Sequence, residues 1–232
     1  LSATIRPGRL TALSGPSGAG KTTTSQVLLA LLEPQQGRVR VVSPDGTSQD
    51  LSQTDPASWW EQIAWVPQRP TITPGTVLDN VLDHAEPGAS TAEGIPDVLV
   101  EAARATGFDE VVDGLPQGWR TPVGSAGVGL SVGQRQRLAL TRALCSTAPL
   151  VVMDEPTAHL DAASEAHVLD AVRALHASGR TVVVIAHRPA LMALAEQTIA
   201  VTSQPVPPAD IAPDRTPDRL SLIHISEPTR PL

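Results

Sequence analysis

Hydrophobic positions along the chain fall into two patterns. Residues 39–42, 150–153 and 181–186 are short, mostly apolar runs rich in β-branched side chains, the pattern of parallel strands buried on both faces. Residues 9–13 form a further strand candidate. It is broken by 15–20, with three glycines and a proline, before a helical run over 22–32. Pro34 disfavours helical geometry in Glu33 and so ends that run. From about residue 74 to 148 the spacing turns helical, over 77–83, 98–105 and 134–145, without a convincing strand. This succession predicts an α/β protein with a mostly parallel core sheet and an inserted helical subdomain over about 74–148. No internal repeat is visible.

Composition narrows the class. The 232 residues suffice for one large α/β domain with a sizeable core. The longest apolar runs, 27–32 and 182–186, fall far short of the roughly 18 to 20 residues that span a bilayer. Seventeen basic residues stand against twenty-four acidic ones, a net charge of −7, with no basic run, so nucleic acid is not the expected partner. A single cysteine, Cys145, forms no internal disulfide, and no signal peptide opens the chain, which together suit a reducing, cytoplasmic setting. The abundance of arginine, alanine and proline reads as GC-rich coding. Against that bias the one lysine, Lys21, stands out.

The two ends carry expectations of their own. The chain starts at Leu1 without an initiator methionine and is expected to be a piece of a longer protein. Residues 203–219 are rich in proline and aspartate and are expected to form a disordered exit. Residues 220–230, LSLIHISEPTR, resemble the read-through translation of a transposase adapter used in sequencing libraries. Residues 220–232 are therefore expected to be an adapter-derived artefact outside the fold, which leaves 1–202 as the domain.

The position of the lysine suggests why it is kept. Gly15, Pro16, Ser17, Gly18, Ala19, Gly20, Lys21 and Thr22 meet the pattern G-x-x-x-x-G-K-[ST] between a strand candidate and a helix, the context of a phosphate-binding loop. Glycines let successive N–H groups face a phosphate, and the following helix adds the partial positive charge of its N-terminus. Lys21 reaches the β- and γ-phosphates as a compact point charge, whereas an arginine fork is too broad for the slot. Thr22 is placed to ligate Mg²⁺ through its hydroxyl, and Thr23 to touch the α-phosphate. Further on, an apolar strand ends in Asp154 and Glu155, at the sheet edge where open α/β folds bind ligands. Asp154 suits holding Mg²⁺ through water, and Glu155 suits accepting a proton from an attacking water. His187 follows the strand over 181–186 and lands at the same edge, within reach of a γ-phosphate.

Phosphate loops occur in kinases, GTPases, helicases and transport ATPases alike, so a further motif must decide. Leu130-Ser131-Val132-Gly133-Gln134 opens the helix of 134–145. As bare physics Ser131 and Gln134 form a capping box, and such a capped N-terminus is also an anion site. With it, residues 1–202 resemble the nucleotide-binding domain of an ATP-binding cassette (ABC) transporter, a P-loop NTPase fold. Six ordered motifs carry the likeness: GPSGAGKT as Walker A, Gln68 as the Q-loop, LSVGQ as the signature, LVVMDE as Walker B, Thr157-Ala158-His159-Leu160-Asp161 as the D-loop, and His187 as the switch.

The resemblance implies ATP and Mg²⁺ as cofactors, with Thr22, Gln68 and Asp154 at the metal and Glu155, His187 and Gln68 as the catalytic group. It also implies a second ABC ATPase domain as partner, in a heterodimer, whose ATP is met in trans by Ser131, Gly133, Gln134 and Asp161. A membrane-spanning domain is expected upstream in the parent, with the ATPase on the cytoplasmic face of the membrane. The aromatic residue that stacks on adenine is expected before Leu1. Within the family, the stretch 121–127 and Gly75-Thr76-Val77 with Asn80 and Val81 resemble exporters, although Ser125 stands where exporters carry glutamate. Residues 65–70, LSVGQ and 156–161 look most like the thiol-reductant (cysteine or glutathione) exporter needed for cytochrome bd assembly, in its CydD-type subunit. The alternatives are a lipid or drug exporter, a soluble ABC ATPase acting on nucleic acid or ribosomes, and a small-molecule kinase.

Overall fold

A computed structural model describes residues 1–43, 45–82, 94–124, 127, 129–158, 160–203 and 222–226. Its strands are β1 (Ala3–Ile5), β2 (Leu10–Ser14), β3 (Arg38–Val42), β4 (Ser48–Asp50), β5 (Ile63–Val66), β6 (Gly75–Thr76), β7 (Pro122–Val123), β8 (Leu150–Asp154), β9 (Thr181–Ile185), β10 (Gln197–Ala200) and β11 (Leu222–Ser226). The helices are α1 (Lys21–Leu28), α2 (Pro56–Trp60), α3 (Val77–Leu82), α4 (Asp97–Thr106), α5 (Phe108–Asp113), α6 (Val132–Cys145), α7 (Ala162–Ala177) and α8 (Pro189–Met192).

The expected parallel core forms in the order β10-β2-β9-β8-β5, and every pairing within it is parallel. Strands β8 and β9 are buried along their whole length, and strand alternation divides their side chains between two layers. Val151, Met153, Val182 and Val184 pack with Leu140 of α6 and Val168, Val172 and Leu175 of α7. Leu150, Val152, Val183 and Ile185 pack on the opposite face with Val27 and Leu28 of α1, Val39 and Val41 of β3, and Trp59. A third cluster joins Val77, Val81, Leu99, Phe108, Val112 and Leu138. It gives the α3 to α6 stretch an apolar core of its own.

Several details depart from the expected pattern. Strand β3 forms but is buried on one face only, with Val39 and Val41 inside and its arginines partly exposed. It pairs antiparallel with β4 in a second sheet of order β1-β11-β3-β4. The alternation of Arg38 and Arg40 with valine is the physical reason. Helix α1 stops at Leu28, earlier than Glu33, because Ala30 turns into the left-handed region at φ 53°. The stretch expected to lack strands holds the short antiparallel pair β6 and β7. Strands β5 and β10 each have only four residues, too few for periodicity to announce. Residues 220–232 were expected outside the fold, yet the backbone of Leu222–Ser226 runs parallel to both β1 and β3. Asp83, Ser125, His159, 204–219, 220, 221 and 227–232 lie outside the described residues.

The sheet's register positions the site. Leu13 of β2 and Asp154 of β8 both pair with Ile185 of β9, and Val66 of β5 pairs with Met153. The loops after β2, β5, β8 and β9 therefore leave the sheet at one carboxyl edge, where open α/β folds hold ligands.

Candidate functional site

The loop between β2 and α1 is shaped by its glycines. Gly15 has φ 152°, and a Cβ there would sit 2.2 Å from the Val201 carbonyl oxygen, so no other residue fits. Gly20 caps α1 in the left-handed region at φ 94°, which glycine adopts without a steric penalty. Lys21 begins the helix and is only 6% exposed. Its ammonium donates to the carbonyl oxygens of Gly15 at 3.0 Å and Pro16 at 2.9 Å. The loop thus holds the cation with its own backbone, in bonds that phosphate oxygens can take over with full charge assistance. Pro16, Ser17, Gly18, Thr22 and Thr23 are exposed on the rim, and Ala19 packs inward.

Asp154 and Glu155 differ sharply in environment although adjacent. Asp154 is buried at the end of β8. Burial pushes its carboxyl above the usual carboxylate range, with the Glu155 charge adding to this; a hydrogen bond from Thr22 and the Lys21 charge pull the other way. Glu155 adopts φ 44°, a conformation that costs a non-glycine residue on the order of 1 to 2 kcal/mol, and its N–H donates to Ile185 O at 3.1 Å. The sharp turn sends its side chain to two partners. Gln68 Nε2 donates to Glu155 Oε2 at 2.8 Å, and His187 Nε2 lies 2.9 Å from Glu155 Oε1. The loops after β5, β8 and β9 are joined through this one carboxylate.

A metal ion fits here by donor chemistry. The Thr22 hydroxyl is near enough to the Asp154 carboxyl to lower its titration, and Gln68 spends its amide nitrogen on Glu155, leaving its amide oxygen for a metal. One carboxylate with neutral oxygens is the set that Mg²⁺ accepts when phosphates and water complete its shell.

The remaining expected residues form a separate group. Ser131 caps α6: Gln134 N donates to Ser131 Oγ at 3.2 Å and Ser131 N to Gln134 Oε1 at 2.8 Å, a complete capping box. Asp161 caps α7 by accepting from Ser164 N at 2.8 Å. Gly133 lies against Ser164 and Leu160 of that same helix start. Ser131 and Gln134 bond to each other rather than to the phosphate loop. Arg188, which follows His187, donates to Leu160 O at 3.4 Å and pairs with Glu165 at 2.6 Å. Nothing in the sequence marked that tie, or the approach of Val201 to Gly15, because both partners are distant along the chain.

A groove of about 880 Å³ opens beside Gln68, lined by 68–72, Gly124, Gly129, Leu130, Val132 and Arg135. No helix among the described residues is long and apolar enough to cross a membrane.

Known proteins are similar to this chain. The sequence profile of the ABC transporter family matches residues 1–158. The chain is 40% identical over 201 residues to the mycobactin import ATP-binding/permease protein of Mycolicibacterium thermoresistibile, covering 87% of this chain and 33% of that protein. It is 40% identical over 191 residues to the ATP-dependent lipid A-core flippase of Burkholderia pseudomallei, covering 81% of this chain and 29% of the other. A solved structure of a bacterial Atm1-family ABC exporter with ATP bound superposes with a TM-score of 0.70 at 32% identity, over 84% of this chain and 32% of that one. The chain spans about a third of the length of the relatives it matches.

Proposed function

The chain belongs to the ABC transporter family of ATP-hydrolysing domains, and from that premise we propose that it is the ATPase of a membrane exporter, closing with a second ABC ATPase domain around ATP. The observation that carries this reading is the Gln68–Glu155–His187 group at the sheet edge that also carries the phosphate loop. In the proposed roles, residues 15–23 cradle the phosphates with Lys21 as the central cation, and Glu155 takes the proton of the attacking water. His187 and Gln68 hold that carboxylate and the γ-phosphate in place. Mg²⁺, held by Thr22, Asp154 and Gln68, would neutralise charge on the phosphates. Ser131, Gly133, Gln134 and Asp161 stand apart from this group because they serve the partner's ATP.

The domain division proposed is residues 1–202 with a helical subdomain over about 74–148, a 203–219 exit and an adapter-derived 220–232, so that β11 contributes nothing to function. The relatives, a third of whose length is matched, support a fused upstream membrane domain, and the groove beside Gln68 is its docking place. That puts the ATPase at the cytoplasmic face of the membrane. For cargo we propose a thiol reductant, on the likeness of residues 65–70, LSVGQ and 156–161 to the CydD-type subunit; the relatives above bear the names of mycobactin and lipid A instead.

The direct test is phosphate release from Mg-ATP by the chain and by its Glu155→Gln variant. Loss of a general base costs about 10² to 10⁴ in rate, so turnover should fall by at least a hundredfold while ATP affinity holds. Equal turnover in both proteins contradicts the assigned role.

A further inference from the structure

Helices α6 and α7 bring their N-terminal ends side by side through one side-chain pair. Arg137, one turn into α6, is only 15% exposed in its side chain. One of its terminal nitrogens donates to Gly107 O at 3.0 Å and the other to Ser164 Oγ at 3.4 Å. Ser164 is buried at 8% exposure, and its N–H is the one that Asp161 caps. Gly133 closes the contact: a Cβ there would stand 3.3 Å from Ser164 Oγ, tighter than ordinary van der Waals contact. Hydrogen bonds from Ser164 hold the Asp161 carboxyl below the usual range, and the Arg137 charge adds to this. Asp161 itself is open to solvent, free to meet a ligand outside the chain.

We propose that Arg137 and Ser164 are positioning residues that lock the Ser131 end of α6 and the Asp161 end of α7 into one rigid jaw, so that both reach a partner's ATP together. The inference rests on the proposed function, in which those two ends serve the partner's site. Neither residue touches the nucleotide. Each acts by removing relative motion, which lowers the ordering cost of closure.

The experiment uses the full chain carrying Glu155→Gln, compared with the same chain carrying in addition Arg137→Lys, Ser164→Ala or both. A fluorescent ATP analogue reads the chain's own site, and sedimentation reads ATP-dependent dimerisation. Arg137→Lys keeps the charge but loses the fork, and Ser164→Ala loses a single oxygen. Each should weaken dimerisation about tenfold, and the double variant little further, because groups acting as a unit are non-additive. Own-site affinity and melting temperature should stay level. Glu110→Gln, which removes only the outer 3.6 Å ion pair of Arg137, should change nothing. Unchanged dimerisation in both variants, or an equal loss at the own site, overturns the jaw. A Glu155→Gln parent that never dimerises overturns the proposed function instead. Amide exchange over residues 160–162 then judges the jaw separately: faster exchange in both variants supports it, and unchanged exchange refutes it.

Discussion

Lys21 is held by the carbonyls of Gly15 and Pro16 in a slot with room for an ammonium, and this geometry gives the single lysine a physical reason. Arg in its place retains charge but offers a planar fork instead of a point cation. Lys21→Arg should therefore lose ATP binding nearly as completely as Lys21→Ala, in a titration calorimeter, with little change in melting temperature. Another residue type present only once, cysteine at Cys145, behaves oppositely. Burial pushes its thiol up to about 11, against the pull of the Arg180 charge. At pH 8 the folded chain then carries far less thiolate than the unfolded one, and alkylation should run roughly a hundredfold slower in the fold. Because the folded state keeps this proton longer, the cysteine weakens the fold only as pH rises through about 9 to 11. At this scale the placement of Lys21, Asp154 and Glu155 at one sheet edge was legible, because each closes or directly follows a strand or a glycine loop in sequence. The cap pairing of Arg137 with Ser164 was not, since 27 residues separate them and the contact exists only after packing.

Helix α1 shows how an element ends where pattern alone says it continues. Apolar residues run on to Leu32, yet Leu31 N donates to Gln26 O and Ala30 N to Val27 O. This is the paired bond set of a Schellman stop, with Ala30 at φ 53° in the left-handed position. Trp59 Nε1 adds a buried bond to Leu28 O at 3.0 Å, satisfying another terminal carbonyl. Glycine is the usual signal for such an ending, and its absence hid the stop. Ala30→Gly should relieve about 1 kcal/mol of strain and raise the melting temperature by about 2 to 4 °C in a thermal scan; a lowered one would contradict the assignment. Elsewhere the elements were legible in proportion to burial. Strands β8 and β9 announced themselves because both faces are covered, whereas β3 misled because only one is. Strand β5 is an apolar run of only four residues, IAWV, with Trp65 44% exposed, too short to separate from a helical turn.

Across the molecule, one sheet edge gathers the phosphate loop, Gln68, Asp154, Glu155 and His187, while Ser131 and Asp161 face elsewhere on paired helix ends. The first group was legible as a set because strands of a parallel sheet deliver their loops to one edge. The role proposed for the second comes only from family likeness, because nothing within one chain marks a helix N-terminus for another chain's nucleotide. On the proposed function a lone copy holds both halves of a site but cannot close them on each other. The proposed function requires ATP to join two ABC ATPase domains, and two copies of this chain can stand in for that pair. This requirement is tested most directly by multi-angle light scattering of the Glu155→Gln chain with and without saturating Mg-ATP. The expected result is a monomer without nucleotide and a dimer with it, returning to monomer when ATP is removed. A chain that remains monomeric at saturating ATP is incompatible with closure of two such domains on each other.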